Sequence, residues 1–248
     1  MPRSARKKSS TGIYHIMIRG INKQKIFEQP EDYRKLLYQL RDCKEKGEFE
    51  LYAYCLMPNH IHLLLKEGSE PIADTFRRLG SKYVMWFNTK YSRVGHLFQD
   101  RFKSEAVEDG GYFLTVLRYI HFNPVKAKLV QYPGEYPYSS YSAYLRGCSF
   151  VDTDMAMKML PGNGFIELHA VGCDDNCLDI EDDRPFRVTD EDAAEIMRQI
   201  TKCGSTDEFR SLDSKTKRDL IARLKGSGLS IRQISSLTGE SYYNVQKC

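Results

Sequence analysis

The run from Phe49 to Lys66 constrains this 248-residue chain more than any other stretch, because two aromatic- and leucine-rich segments meet there at Pro58-Asn59. Proline lacks a backbone donor and asparagine accepts tight turns, so the pair divides the run into the two arms of a β-hairpin, Phe49 to Met57 and His60 to Lys66. Around it the periodicity alternates. Gly12 to Arg19 places Tyr14, Ile16 and Ile18 on one face and His15 on the other, a first strand. Glu31 to Lys46 carries Tyr33, Leu36, Leu37 and Leu40 at helical spacing and stops at Gly47. Pro71 to Tyr91 repeats Ile72, Phe76, Leu79, Tyr83 and Phe87, a long helix with proline near its first turn, and Trp86 on it is assigned to the core. Phe102 to Val107 reads as a fourth strand. Asp109 then caps a helix from Gly110 to about Phe122, where Pro124 biases Asn123 away from the α region and is expected to end it. The order β-α-β-β-α-β-α predicts an α+β fold, a ferredoxin-like split βαβ antiparallel sheet with helices on one face and one additional helix.

Charge divides the chain. Residues 1–150 hold 24 Lys and Arg against 15 Asp and Glu, residues 151–195 hold 3 against 13, and residues 196–248 hold 10 against 5. The basic parts suit a phosphate backbone and the acidic part repels one. The expected organisation is therefore a domain over 1–150, an acidic linker over 151–189, and a helical DNA-binding module over 190–248. The chain has no run of eighteen apolar residues and its basic amino terminus lacks the apolar core of a secretory signal, so a cytoplasmic protein with no membrane partner is expected. Seven scattered cysteines suit a reducing compartment. His169, Cys173 and Cys177 supply three ligands in acidic surroundings and are not read as a zinc site. The tyrosines from Tyr132 to Tyr144 are expected to pack against the sheet rather than to stack on bases.

His60 and His62 lie at i and i+2 of a strand, so both imidazoles project from one face while Ile61 points to the other. Two imidazoles converging on one point suit a divalent cation. Tyr119 falls late in the helix after the fourth strand, and Asn123, four residues on, shares its face and could add an amide oxygen to the ligand set. Tyrosine is a poor nucleophile at its free pKa of about 10 and needs a polarised phosphate or a neighbouring base. A cation on two imidazoles and one amide keeps positions open for a phosphate oxygen, acting as Lewis acid and template. Attack by Tyr119 would leave a phosphotyrosyl-DNA link and a free 3′ hydroxyl, so rejoining needs no ATP. Arg19, Arg101 and Lys103, on or beside strands near the site, are candidate phosphate contacts. His15 and His121 are candidates for supporting groups or second bases, against the alternative of ordinary packed histidines.

Several motifs together resemble the single-tyrosine HUH transposases. They are Tyr14-His15, Arg19-Gly20, Ile26-Phe27, Met57-Pro58-Asn59-His60-Ile61-His62, the run Gly95 to Ser104, and Arg118-Tyr119-Ile120-His121-Phe122-Asn123-Pro124-Val125. Within that family the resemblance is to the REP-associated tyrosine transposase branch, in register over about residues 11–145. It implies a divalent metal, Mg2+ or Mn2+, and cleavage of single-stranded DNA beside imperfect hairpins or repeat elements. It also implies the nucleophile role for Tyr119 and ligand roles for His60 and His62. Both monomers and homodimers fit it.

Leu229 to Lys247 places Ile231, Ile234 and Leu237 on a short helical face, turns at Gly239, and returns Val245 in the next helix. This reads as a helix-turn-helix offering Tyr242, Tyr243, Asn244 and Lys247 to DNA, with a plain helical hairpin as the alternative. Two rival functions stay open: a relaxase or replication initiator with the same chemistry, and a catalytically silent hairpin-binding regulator derived from a transposase.

Overall fold

The computed structural model describes residues 7–172, 177–178, 190–203, 205–227 and 229–247. Arg3, Arg6, Cys173 and most of the acidic stretch from Gly172 to Asp183 lie outside the described residues. The chain divides into two compact units, Met1–Ile180 and Glu181–Cys248.

In the first unit the hairpin forms as its sequence dictates, with β2 (Glu50–Met57) and β3 (His60–Lys66) paired antiparallel and turning at Pro58-Asn59. β1 (Ile13–Arg19) lies on the other side of β3, and the short β4 (Lys103–Ala106) flanks β1, so the antiparallel order is β2-β3-β1-β4. The β2 edge is covered by the following chain: Leu56 N–H donates to the Tyr138 carbonyl and Ser140 N–H to that of Tyr54. Covering an edge removes a template for unwanted pairing. The expected packing of the tyrosine-rich segment is seen for its later residues, whereas Tyr132 is exposed. Tyr136 and Tyr144 donate to the carbonyls of Leu56 and Tyr52, and Tyr138 stacks on Tyr33.

The helices α1 (Pro30–Gly47) and α2 (Ile72–Lys90) pack on each other and join the apolar core. Ile18 lines a cleft with Phe76, Gly80 and Val84 of α2, which places these helices on the face of β1 opposite His15 and Met17. The third helix, α3 (Gly110–Lys126), occupies the His15 face, bringing Phe113 against Tyr52 and Tyr119 against His15. The sheet is thus covered on both sides rather than on one, and for that reason both faces of β3 are buried.

Two further expectations are corrected. α3 does not end at Phe122; Pro124 sits inside it, and Asn123 stays helical with its Nδ2 donating to the Tyr119 carbonyl at 3.0 Å. Nor does a linker begin at residue 151. After α4 (Tyr141–Arg146), the short helices α5 (Asp154–Met159) and α6 (Gly164–Ala170) bury Ala156 and Phe165 in the first core. Asp152 carries the negative charge there for a structural reason, accepting from Leu51 N–H and from Lys44.

The second unit has its own core, in which Phe209, Leu220, Leu224, Ile234 and Val245 are buried. It comprises α7 (Asp190–Thr201), α8 (Thr206–Ser211), α9 (Ser214–Gly226), α10 (Ile231–Thr238) and α11 (Tyr242–Lys247). Ser230 caps α10 in a capping box with Gln233, and Gly239 at φ 69° makes the left-handed turn into α11. No helix among the described residues is long and apolar enough to cross a membrane.

Gly20 joins β1 to the turn beside the hairpin, donating to the Asn59 carbonyl. A β-carbon there would overlap the Gln24 carbonyl oxygen and press on Ile26. Gly20→Ala is expected to destabilise the first unit by about 1–3 kcal/mol, the usual cost of overpacking. Denaturant unfolding measures it, and a wild-type midpoint would show this turn to have room.

Candidate active site

Directly opposed residues of antiparallel strands share a face. Cys55, His62, Met17 and Lys103 therefore form one row across the sheet, with Met57, His60 and Arg19 in the next. The two histidines project together as their spacing requires, with ring centroids 5.0 Å apart. His62, on the central strand, is fully buried, whereas His60, beside the turn, is half-buried.

Tyr119 reaches this face because α3 lies across it. Asp109 fixes the helix start by accepting from Tyr112 N–H, and Phe113, Val116, Leu117 and Ile120 bury its apolar stripe. The Tyr119 ring stands 5.7 Å from the His62 ring and 5.8 Å from the His15 ring, edge-on to each, and is only 1% exposed. Asn123 lies one turn on, its amide held through Nδ2 to the Tyr119 carbonyl, so Oδ1 is the atom it could offer a cation. Tyr119, His60 and His62 are brought to one place, with Asn123 on the adjoining turn.

Two supporting residues emerge. His15 Nε2 lies 3.0 Å from His62 Nδ1, and on its other side His15 Nδ1 lies 4.0 Å from Glu105 Oε2. If His62 Nδ1 carries the proton and donates to His15, the His62 lone pair is on Nε2. Burial, with His15 and His60 nearby, pushes the His62 pKa well below the ordinary imidazole value, so the ring is neutral. Similarly, His60 Nδ1 donates to Asn59 Oδ1 at 2.7 Å and keeps its lone pair on Nε2. The sequence named His15 without assigning its role; the i, i+2 alternation of β1 set against β3 is the signal that could have done so. Glu105 carried no such signal.

His121, also a candidate base, is turned away from Tyr119. Its ring is fully buried, with Nδ1 2.9 Å from His169 Nε2 and Nε2 2.8 Å from Ser140 Oγ, while His169 Nδ1 donates to the Phe165 carbonyl. It ties α3 to α6 and to the segment covering β2.

The donor chemistry fits a divalent ion in part. His62 Nε2 is buried and has no hydrogen-bond partner among the described residues, as a ligand nitrogen would be. No cluster of three or more His, Cys, Asp or Glu suited to a metal occurs among the described residues. The remaining positions would fall to the Asn123 amide, water and phosphate oxygens. Nitrogen-rich sites are better matched to Mn2+ than to Mg2+, which prefers oxygen.

The expected DNA-contacting residues are spread over the molecule. Lys103 is exposed on the histidine face of β4, and Arg19 sits opposite His60. Arg101 instead lines the cleft beside α2 with Phe98 and Phe102, so it is not part of the histidine face. In the second unit α11 exposes the four expected residues, with Tyr242 and Tyr243 58% and 62% accessible. Lys247 Nζ stands 4.4 Å over the Tyr243 ring, and Asn244 donates to Glu240.

Residues 8–123 match the family described as "Transposase IS200 like". A candidate REP-associated tyrosine transposase of Haemophilus influenzae is 34% identical over 109 residues, which are 39% of this chain and 61% of the relative. The chain thus spans about three fifths of that relative's length. The REP-associated tyrosine transposase of Escherichia coli K12 is 24% identical over 136 residues, 54% of this chain and 78% of the relative. A solved structure of a REP-associated tyrosine transposase bound to a REP hairpin superposes at TM-score 0.50 and 18% identity, covering 72% of this chain and 100% of that one, a likeness of fold.

The buried histidines make stability depend on pH. Burial holds His121 well below its ordinary pKa and lowers His169 to about 4. An unfolded imidazole protonates near pH 6.5, so between about 6.5 and 4 the unfolded chain binds more protons than the folded one. Stability is complete above this window and falls as pH drops through it, by about 1.4 kcal/mol per pH unit for each such group. Unfolding at pH 7, 6 and 5 should show this slope, shallower in His169→Phe; a flat profile would contradict neutral burial.

Proposed function

We propose, because residues 8–123 match the IS200-like transposase family and relatives of that kind are similar to the chain, that this chain cleaves and rejoins single-stranded DNA beside hairpins through a covalent phosphotyrosine at Tyr119. The observation that carries the reading is the Tyr119 ring standing 5.7 Å from buried His62 within the matched stretch. A hairpin substrate is favoured by the relatives, one of which is described bound to a REP hairpin.

His60, His62 and the Asn123 amide would hold a divalent ion, Mn2+ or Mg2+. Bound there, it would withdraw charge from the scissile phosphate and fix its orientation. His15 holds His62 in one tautomer and one ring orientation, a kind of support that typically affects metal affinity by about 10–100-fold. Tyr119 Oη forms a bond to phosphorus as the bond from phosphorus to the 3′ oxygen breaks. The proton lost by the phenol is matched by the one gained at the 3′ oxygen. One phosphodiester is exchanged for another, so the 3′ hydroxyl of a second strand can reverse the step. Arg19 and Lys103, on the same face as the imidazoles, suit the flanking phosphates. The second unit, through Tyr242, Tyr243, Asn244 and Lys247, would recruit duplex or hairpin DNA in the manner of a helix-turn-helix.

The relaxase and initiator alternative is not favoured by a family match to transposases. The silent regulator retains one observation in its support, the burial of Tyr119. A hairpin-bearing oligonucleotide with Mn2+ or Mg2+ decides between them. The wild-type chain should form a denaturation-resistant adduct that Tyr119→Phe abolishes and a chelator prevents, with His60→Ala strongly impaired. Hairpin binding without adduct under every metal would favour the regulator; adduct from Tyr119→Phe would remove the assigned nucleophile.

A further inference from the structure

The outer face of the α1–α2 pair carries an exposed aromatic ring among cations. Tyr38 on α1 and Met85 on α2 are each 70% exposed. One such side chain alone means little, but the packing of the two helices brings both to one seam. Lys35 Nζ lies 5.8 Å from the centre of the Tyr38 ring and 5.8 Å from that of the Trp86 ring. Two turns along α1, Asp42 accepts from Lys82 of α2 at 2.7 Å. These two crossings bracket Tyr38 on one helix and Met85 on the other.

Residues three and four positions from Tyr38 share its helix face, and they are Arg34, Lys35, Arg41 and Asp42. The one acid among them is already neutralised, by Lys82 at 2.7 Å and Lys46 at 2.9 Å. The three cations have no carboxylate partner among the described residues; Lys35 meets only ring faces, and the Arg41 guanidinium lies 5.1 Å over the Phe150 ring. Arg34 and Arg41 are exposed to solvent. A polyanion would therefore gain charge contacts here without displacing an internal ion pair. The open ring selects among polyanions. A single strand offers both phosphates and unstacked bases, whereas a duplex keeps its base faces stacked inside and an acidic peptide has no flat face to give.

We infer that the Tyr38 face of α1 and α2 is a second binding site for single-stranded DNA, in which Tyr38 stacks on one base and Arg34, Lys35 and Arg41 hold flanking phosphates. It lies on the side of the sheet opposite His15 and His62, so it takes a part of the strand other than the one presented to Tyr119. The inference rests on the reading of this chain as one that acts on single-stranded DNA.

Trp86, the one tryptophan of the chain, is half-buried beside Lys35, so its fluorescence reads this face directly. With the full chain in chelator, a thymidine strand of about 12 nucleotides should quench Trp86, within the range of lengths such sites occupy. Tyr38→Ala should raise the midpoint of that quenching about 10-fold, the scale of one lost stack on a base. Tyr38→Phe should bind as the wild type does, because stacking uses the ring and not the hydroxyl. Replacing Arg34 and Lys35 together by Gln should reduce the slope of log affinity against log salt by about 1.4, two phosphate contacts on a single strand. Strand binding seen by anisotropy with no change at Trp86, a wild-type midpoint in Tyr38→Ala, or stronger quenching by a duplex of the same length would each overturn the site. So would fluorescence that follows protein concentration and ignores the strand, the mark of a second copy covering this face. A chain that forms the Tyr119 adduct without quenching loses this site and keeps its proposed function; one that quenches without forming adduct keeps the site and loses the nucleophile.

Discussion

The contact on which the rest of the site depends is that between His62 on the central strand and Tyr119 on α3, because each constrains the element that carries it. A neutral imidazole in the middle of a sheet needs an answer for its nitrogens, and His15 on the neighbouring strand provides one at Nδ1. That pairing requires β1 and β3 to lie in the register Met17 to His62, which in turn places Arg19 opposite His60. α3 must then cross this face, since among the described residues it is the element that brings a phenol to the imidazole edge. Sheet register, helix placement and candidate chemistry are therefore one geometric condition.

Much of this was legible in residues whose spacing has a single meaning. His60 and His62 at i and i+2 could share a face only on a strand, and Pro58-Asn59 marked the turn before them. Tyr119 at the end of a stripe of Phe113, Val116, Leu117 and Ile120 fixed its helix. Other features depend on tertiary contacts that no local pattern carries. Pro124 argues for a helix end, but the helix runs on to Lys126, and Lys128 and Leu129 close the turn beyond it through the carbonyls of Val125 and Pro124. The acidic composition after residue 150 suggested a linker, yet Asp152 is spent on Leu51 and Lys44, and Phe165 stacks on Tyr144. Composition reports average solvation; it does not say which carboxylate has an internal partner. Likewise, no spacing rule shows that His121, two residues from Tyr119 on the same helix, turns away from it into a buried contact with His169 and Ser140.

The second unit shows how far a short motif extends. Ser230, Gln233 and Gly239 fix the ends of α10 by side-chain and backbone geometry alone, so that boundary follows from sequence. The exposed face of α11 follows too, because Val245 is its buried anchor and Tyr242, Tyr243, Asn244 and Lys247 fall around it. A helix of six residues presents little surface, however, and Asn244 already has a partner in Glu240 just before the helix and Lys247 one in Tyr243 within it. Such a face suits an auxiliary hold on DNA more than an independent reader of sequence.

Burial of Tyr119, which supports a silent protein if the site stays closed, would also serve the proposed reversible covalent step. A phosphotyrosyl link preserves its energy for rejoining only while water is kept from the phosphorus, and an enclosed site strengthens every charge contact made inside it. The edge-on rings of His15 and His62 and the body of α3 exclude water from one side of Tyr119 whatever the substrate does.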